Sequence, residues 1–200
     1  MTTILLILLW LGYFLVLALA MFIVYQVVKT TEYTTCICRH RIPFVPSSQH
    51  LRAAVTKAIQ DYYPKTKTVC DIGSGYGGLA RTIARQCNAR VTALENMPFC
   101  ALVSHVCDRV TRANNKTVWC DAFQYLATGP RFDVAVAYLG PRINNRVAAM
   151  RDRFSVLILL DVPADDIAPT RIIDVGHGAT RYGRAHKSYP HKLFIYEFDK

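Results

Sequence analysis

The sequence predicts an α/β domain built on a doubly wound, mostly parallel sheet of seven strands, carried behind one N-terminal apolar helix. Three observations predict it. From residue 47 onward, strand-like and helix-like segments alternate, the pattern of crossover units that cover a parallel sheet on both faces. The first strand runs straight into a glycine-rich turn, Gly73-Ser74-Gly75-Tyr76-Gly77-Gly78. The first 28 residues carry no charged side chain.

Ile4 through Val28 is an uncharged run of 25 residues, interrupted weakly by Gly12 and Gln26. At about 1.5 Å per residue a helix over it spans roughly 37 Å, enough for a hydrocarbon core of about 30 Å with some tilt. Trp10, Tyr13 and Tyr25 are amphipathic, and Tyr25 stands where an interfacial belt belongs. Ala18-Leu19-Ala20 offers a small-x-small cleavage site. No Lys or Arg precedes the run, however, and hydrophobicity continues past that site, so a retained transmembrane anchor is expected. Lys29, Arg39, Arg41 and Arg52 follow, which places the folded domain on the cytoplasmic or matrix side. The expected organisation is an anchor over 1–29, a connector over 30–46 broken by Pro43 and Pro46, and a domain over 47–200.

Within that domain, Ser47 or Ser48 caps a helix to about Tyr62, with Leu51, Val55, Ala58, Ile59 and Tyr62 on one face, and Pro64 ends it. A strand at Thr68–Ile72 leads through the glycine turn to a helix near Leu79–Gln86. A second strand, Arg90–Leu94, precedes a helix over Pro98–Thr111. Strands follow at Thr117–Cys120, Asp133–Tyr138 and Ser155–Leu160, with a helix near Asn144–Asp152. Two tail strands, Thr170–Val175 and Lys192–Phe198, are close enough to pair as a hairpin.

Composition narrows the class. A 52% hydrophobic content excludes wholesale disorder, and the whole formal charge of +10 lies beyond residue 28. Such a surplus suits an anionic neighbour or a solvated basic surface. The 7 cysteines show no C-x-x-C and no zinc-type spacing, which predicts free thiols, a reducing compartment and no metal.

The chemistry concentrates in Val69-Cys70-Asp71-Ile72-Gly73-Ser74-Gly75-Tyr76-Gly77-Gly78. A strand, a glycine turn and a helix let a ligand lie against bare backbone. G-x-G-x-x-G alone is a weak signal. Asp71, two residues before the first glycine, is the discriminator: it would repel a pyrophosphate, but it suits the ammonium of S-adenosylmethionine, which has no phosphate. Glu95 ends the second strand where an acid commonly receives ribose hydroxyls, with Asn96 beside it. Asp121 follows the third strand and could accept an adenine amino group, with Ala122 and Phe123 beside the ring; an ordinary helix N-cap is the competing reading. The expected cofactor-binding set is therefore Asp71, Gly73, Ser74, Gly75, Tyr76, Gly77, Glu95, Asn96, Asp121 and Ala122. Tyr138 and Asp161, ending the fourth and fifth strands, are expected to line the acceptor's entrance. The basic, Tyr-bearing stretch Arg181–Lys192 reads as a solvated loop, a lipid contact or, less readily, an RNA contact.

D-x-G-x-G-x-G, the second-strand acid and the Asp after the third strand resemble the class I, seven-strand S-adenosylmethionine-dependent methyltransferases. That resemblance implies a Rossmann-like sheet with an antiparallel last strand. Within the class, the chain is similar to a short membrane-anchored protein-lysine methyltransferase family of mitochondria and bacteria. The shared points are the apolar N-terminal segment, Phe44-Val45-Pro46, Glu95-Asn96-Met97-Pro98, Tyr138-Leu139-Gly140-Pro141 and Phe194-Ile195-Tyr196. Tyr76 departs from the family's second acid in the turn, and the Arg181–His191 insert is unusual. The resemblance implies methylation of a lysine on a protein in or near the membrane rather than of nucleic acid. A small molecule, lipid or quinone acceptor, or a non-catalytic nucleotide-binding module, are the rival readings.

Overall fold

The computed structural model describes residues 2–40, 46–178 and 189–198. The chain divides into two units, Met1–Pro43 and Phe44–Lys200.

The first unit is one helix, α1 (Thr2–His40). Within it Leu6–Thr31, 26 residues, is long and apolar enough to cross a membrane, and none of its most apolar window is buried inside the protein. Leu9, Leu15, Phe22 and Ile23 all stand exposed, as expected of a helix that is apolar all round. The connector expected from residue 30 is instead helical as far as His40. Its residues up to His40 include neither glycine nor proline, and a helix already nucleated propagates cheaply through such a stretch. Phe44 and Val45 lie outside the described residues.

The second unit begins with α2 (Gln49–Tyr62). Ser48 is its N-cap, the hydroxyl accepting the Leu51 N–H at 3.2 Å. Leu51, Val55, Ala58 and Ile59 face inward. Tyr62, expected with them, is exposed, and the Arg171 guanidinium lies 4.3 Å from its ring centroid. There follow β1 (Thr68–Ile72), α3 (Gly78–Gln86), β2 (Arg90–Glu95), α4 (Pro98–Thr111), β3 (Asn115–Trp119), α5 (Ala122–Thr128), β4 (Phe132–Ala137), α6 (Pro141–Ala149), β5 (Phe154–Leu160), β6 (Arg171–Gly178) and β7 (Tyr189–Glu197). Two differences from expectation have local causes. The short α5 starts at Asp121, which caps it, and α6 starts three residues early because Pro141 occupies its first turn.

The seven strands form one sheet in the order β3-β2-β1-β4-β5-β7-β6. β1 to β5 pair in parallel, and β7 runs antiparallel to both of its neighbours. This is the doubly wound, Rossmann-like fold that the alternation predicts. Val156, Ile158 and Leu160 of β5 enter one apolar cluster with α2 and α3, while Leu157 and Leu159 enter a second with α5 and α6. A strand buried on both faces explains why Phe154–Leu160 reads as a nearly unbroken apolar run. β1 lies between β2 and β4, so the order reverses there, and ligands of open α/β sheets bind in the crevice at such a reversal.

Candidate active site

The turn after β1 is held by its neighbour. Gly73 and Ser74 both donate their N–H to the Leu94 carbonyl, at 2.9 and 3.0 Å, and Gly75 donates to Glu95 Oε2 at 2.6 Å. Gly73 and Gly77 adopt φ of +73° and +69°, the left-handed region that a side chain disfavours. They differ in what surrounds them. Gly73 is exposed, with Leu139 beside it, whereas a Cβ on Gly77 would meet the Ser104 hydroxyl at 2.1 Å. Gly77, expected to face a ligand, therefore admits the protein's own α4.

The acids at the ends of β1 and β2 come together. Asp71 is buried and receives the Ala80 backbone N–H, while its Oδ2 and the neighbouring Ser74 Oγ are shielded from solvent without a partner among the described residues. Burial pushes the Asp71 carboxyl up to about 7. The Ala80 N–H opposes that rise, the adjacent Glu95 adds to it, and Arg52 opposes it more weakly. Glu95 is also buried, and its second oxygen, Oε1, accepts the Met97 N–H at 2.8 Å. Asn96 is exposed next to it and accepts Trp119 Nε1–H on its carbonyl at 3.1 Å.

Asp121 ends up nearby, because the Cys120 N–H donates to the Glu95 carbonyl at 3.0 Å. Its Oδ1 caps α5, accepting Phe123 and Gln124 N–H at 2.8 and 3.2 Å. Both readings weighed for it from sequence remain compatible, since the cap uses one carboxylate oxygen. Ala122 is half-buried, and the Arg146 guanidinium lies 3.8 Å from the Phe123 ring centroid.

Two arginines that the sequence did not mark as site residues shape this crevice. Arg52 of α2 donates through Nε to Ser47 Oγ at 3.0 Å. Its guanidinium sits where a Gly78 Cβ would point. Burial and then Arg81 hold its pKa below the usual arginine range, with Asp71 pulling the other way. Arg81 of α3 donates to the Tyr76 carbonyl in the turn and pairs with Asp108 Oδ1 at 2.9 Å. Asp108 Oδ2 accepts the Thr117 hydroxyl at 2.6 Å. This half-buried network ties the turn, Tyr76 included, to α4 and β3.

On the β4 and β5 side, the expected pair is joined. Tyr138 donates its hydroxyl to Asp161 Oδ2 at 2.9 Å. Burial, then the charge of Asp161, raises the phenol's pKa well above the ordinary range. A third member was missed: His191 Nδ1 lies 2.8 Å from the same Asp161 oxygen. With a carboxylate at Nδ1, that nitrogen is the donor of the contact. Nε2 is buried, with no hydrogen-bond partner among the described residues. Asp161 holds φ +62°, a conformation Asp tolerates better than most residues, and Lys192 N–H donates to its Oδ1 at 3.1 Å. Residues 181–188 of the basic stretch lie outside the described residues.

No protein-family model and no curated protein matches the chain. Solved structures do resemble it. An RNA methyltransferase from Salinibacter ruber, in complex with S-adenosyl-L-homocysteine, is 17% identical at a TM-score of 0.61, over 76% of this chain and 93% of that one. A precorrin-6y C5,15-methyltransferase from Geobacter metallireducens is 17% identical at a TM-score of 0.57, over 78% and 91%. A 16S rRNA methyltransferase from T. thermophilus, in complex with AdoMet and guanosine, is 18% identical at 0.55, over 78% and 45%. These likenesses are likenesses of fold.

Proposed function

We propose that the protein is an S-adenosylmethionine-dependent methyltransferase, anchored in a membrane by α1, that methylates a basic amine, a lysine of a protein substrate above all. One observation carries the donor assignment: a buried carboxylate, Asp71, with one oxygen unpartnered, at the glycine turn of the sheet's reversal point. An isolated buried oxygen of this kind is costly unless a donor reaches it, and a cationic ammonium supplies several. A diphosphate in the same place would meet Asp71 and Glu95 together. The similarity in fold to methyltransferases solved with this donor or its product supports the reading.

Bound, the donor supplies a methyl on a sulfonium, transferred by in-line displacement with loss of one proton from an amine acceptor. The chain's residues would do the rest. Asp71 and Ser74 would receive the amino acid's ammonium, and Arg52 its carboxylate, the fork geometry of a guanidinium being suited to it. Glu95 holds Gly75 and Met97 through different oxygens, and each carboxylate oxygen can accept more than one bond, so ribose hydroxyls would add to these contacts. Asp121, Asn96 and Ala122 would border the base. Tyr138 and Asp161 would draw a cationic amine to the mouth, and His191 Nε2 would take its proton.

The anchor reading rests on Leu6–Thr31. Lys29, Arg39 and Arg41 after it favour the cytoplasmic or matrix side for the folded domain.

Calorimetry with S-adenosylmethionine, S-adenosylhomocysteine and NAD tests the donor; binding of NAD alone would overturn it. Incubating membranes from a deletion strain with the purified chain and methyl-labelled donor tests the acceptor. Label should enter a protein band, and label confined to lipid or RNA would refute the lysine reading.

A further inference from the structure

The outer side of α4 carries a surface that the candidate site does not use. Leu102, Val106 and Val110 recur every four residues, so they share one helix face, and they are 60, 51 and 77% exposed. The charged side chains exposed on this helix, on the turn after it and at the start of β3, Arg109, Arg112 and Lys116, are all cationic. The acid of α4, Asp108, is turned inward and paired with Arg81. Where α4 ends, a concavity of about 370 Å³ opens between His105, Arg109, Arg112, Asn115 and Lys116, with Thr117 and the Arg81-paired Asp108 also in its wall. Arg109 donates to His105 Nε2 at 3.1 Å. Both polar atoms of the Asn115 side chain are shielded from solvent, with no hydrogen-bond partner among the described residues.

Complementing the helix dipole would explain Arg109 and Arg112. It explains neither Lys116 nor the exposed aliphatic row. Trp119 lies two residues beyond Thr117 on β3 and so on the same face of the sheet, the face on which Thr117 meets Asp108 of α4. Its ring is 67% exposed while its N–H is already satisfied by Asn96, a state in which an indole can enter an apolar phase without loss. Asn115 begins β3 and the glycine turn follows the other end of the sheet, so the concavity is separate from the candidate active site.

We propose that this face docks on an anionic bilayer, with a lipid phosphate in the concavity and Leu102, Val106, Val110 and Trp119 at the boundary of headgroups and acyl chains. Cations of one sign flanking an aliphatic row fit a charged interface with an oily layer beneath it. A nucleic acid offers the phosphates but nothing for three exposed aliphatics, because single strands are held by stacking on aromatics. The proposal rests on the membrane reading above, since α1 would bring the domain to such a surface.

The full chain in nanodiscs tests it. Trp10→Phe leaves Trp119 the single tryptophan of the 2 present. With brominated acyl chains, Trp119 emission should fall to about half in phosphatidylcholine–phosphatidylglycerol discs and stay nearly unchanged in phosphatidylcholine alone, as expected for charge-assisted interfacial binding. Arg109→Glu with Arg112→Glu and Lys116→Glu should abolish the quenching while donor binding persists. Equal emission in both discs overturns the proposal. So does a Trp119 response, lost in the triple variant, to single-stranded RNA or inorganic phosphate but not to anionic lipid. A chain that fails to enter discs at all refutes the anchor instead, and anionic vesicles with brominated chains then read the α4 face directly.

Discussion

Glu95 Oε2 accepts the Gly75 N–H at 2.6 Å while Oε1 accepts the Met97 N–H at 2.8 Å. One buried carboxylate thus joins the glycine turn after β1 to the start of α4, two segments that would otherwise carry orphan donors. Glu95→Gln keeps the shape but turns an NH2 towards one of those donors. An unsatisfied buried donor costs about 1–3 kcal/mol, so a denaturant titration should show a loss of that size. Calorimetry should show donor affinity falling at least tenfold, or about 1.4 kcal/mol. Stability equal to the parent's would mean that the turn does not depend on this carboxylate.

Asp71 behaves in the opposite sense. Its Oδ2 has no partner among the described residues, so Asp71→Asn should leave the fold intact and still remove the negative charge that the donor's ammonium needs. Far-ultraviolet circular dichroism and the melting temperature should be retained or improved, with S-adenosylmethionine binding lost. Unchanged donor affinity would refute the pocket.

The same residue gives a pH signature. Burial raises its carboxyl from 3.8 to about 7, so between those values the folded protein holds a proton that the unfolded chain has released. Its contribution to stability therefore falls as pH climbs through that window and levels off above it. Urea titrations across the window should show this decline in the parent and a flatter profile in Asp71→Asn.

Gly77→Ala meets two penalties. The left-handed φ costs on the order of 1–3 kcal/mol for a side chain, and the new Cβ collides with Ser104 Oγ. Adding Ser104→Ala removes the hydroxyl and should recover only part of the second penalty, since the Cβ also approaches Arg81 Nη1. Full recovery of the denaturation midpoint would show that φ at this position is relaxed.

Tyr138, Asp161 and His191 should separate binding from turnover. His191→Gln removes the unpartnered ring nitrogen and should lower kcat by about 10²-fold, the usual scale for losing a general base, with donor affinity unchanged. Tyr138→Phe should have a smaller effect, because Asp161 keeps His191 and Lys192 as donors.

Much of the sheet is legible in the sequence because its strands are short apolar runs at regular spacing, and Asp71-x-Gly73 marks where the first one ends. α5 is not, being seven residues long, too short for helical periodicity to register. Asp121 is ambiguous for a physical reason: the carboxylate that caps a helix is the same group that would accept a ligand's amine. Arg52 escapes because it sits one residue off the apolar face of α2, where pattern reading assigns cations to solvent. His191 escapes because its partner is 30 residues away. Only the pairing of β7 against β5 makes them neighbours, and histidine spacing carries no trace of that. Ser48 and Leu51, an adjacent cap and core pair, are by contrast local and can be read directly from their spacing.

The position of β7 between β5 and β6 has a consequence for biosynthesis. β6 is made before the strand it will lean on, and β5 has an open flank until the same segment emerges from the ribosome. The sheet therefore cannot be completed in the order of translation. A nascent chain would wait, half paired, for β7. Premature termination before β7 would leave the flank of β5 and the inner side of β6 both unpaired, which makes truncated products candidates for quality-control proteolysis.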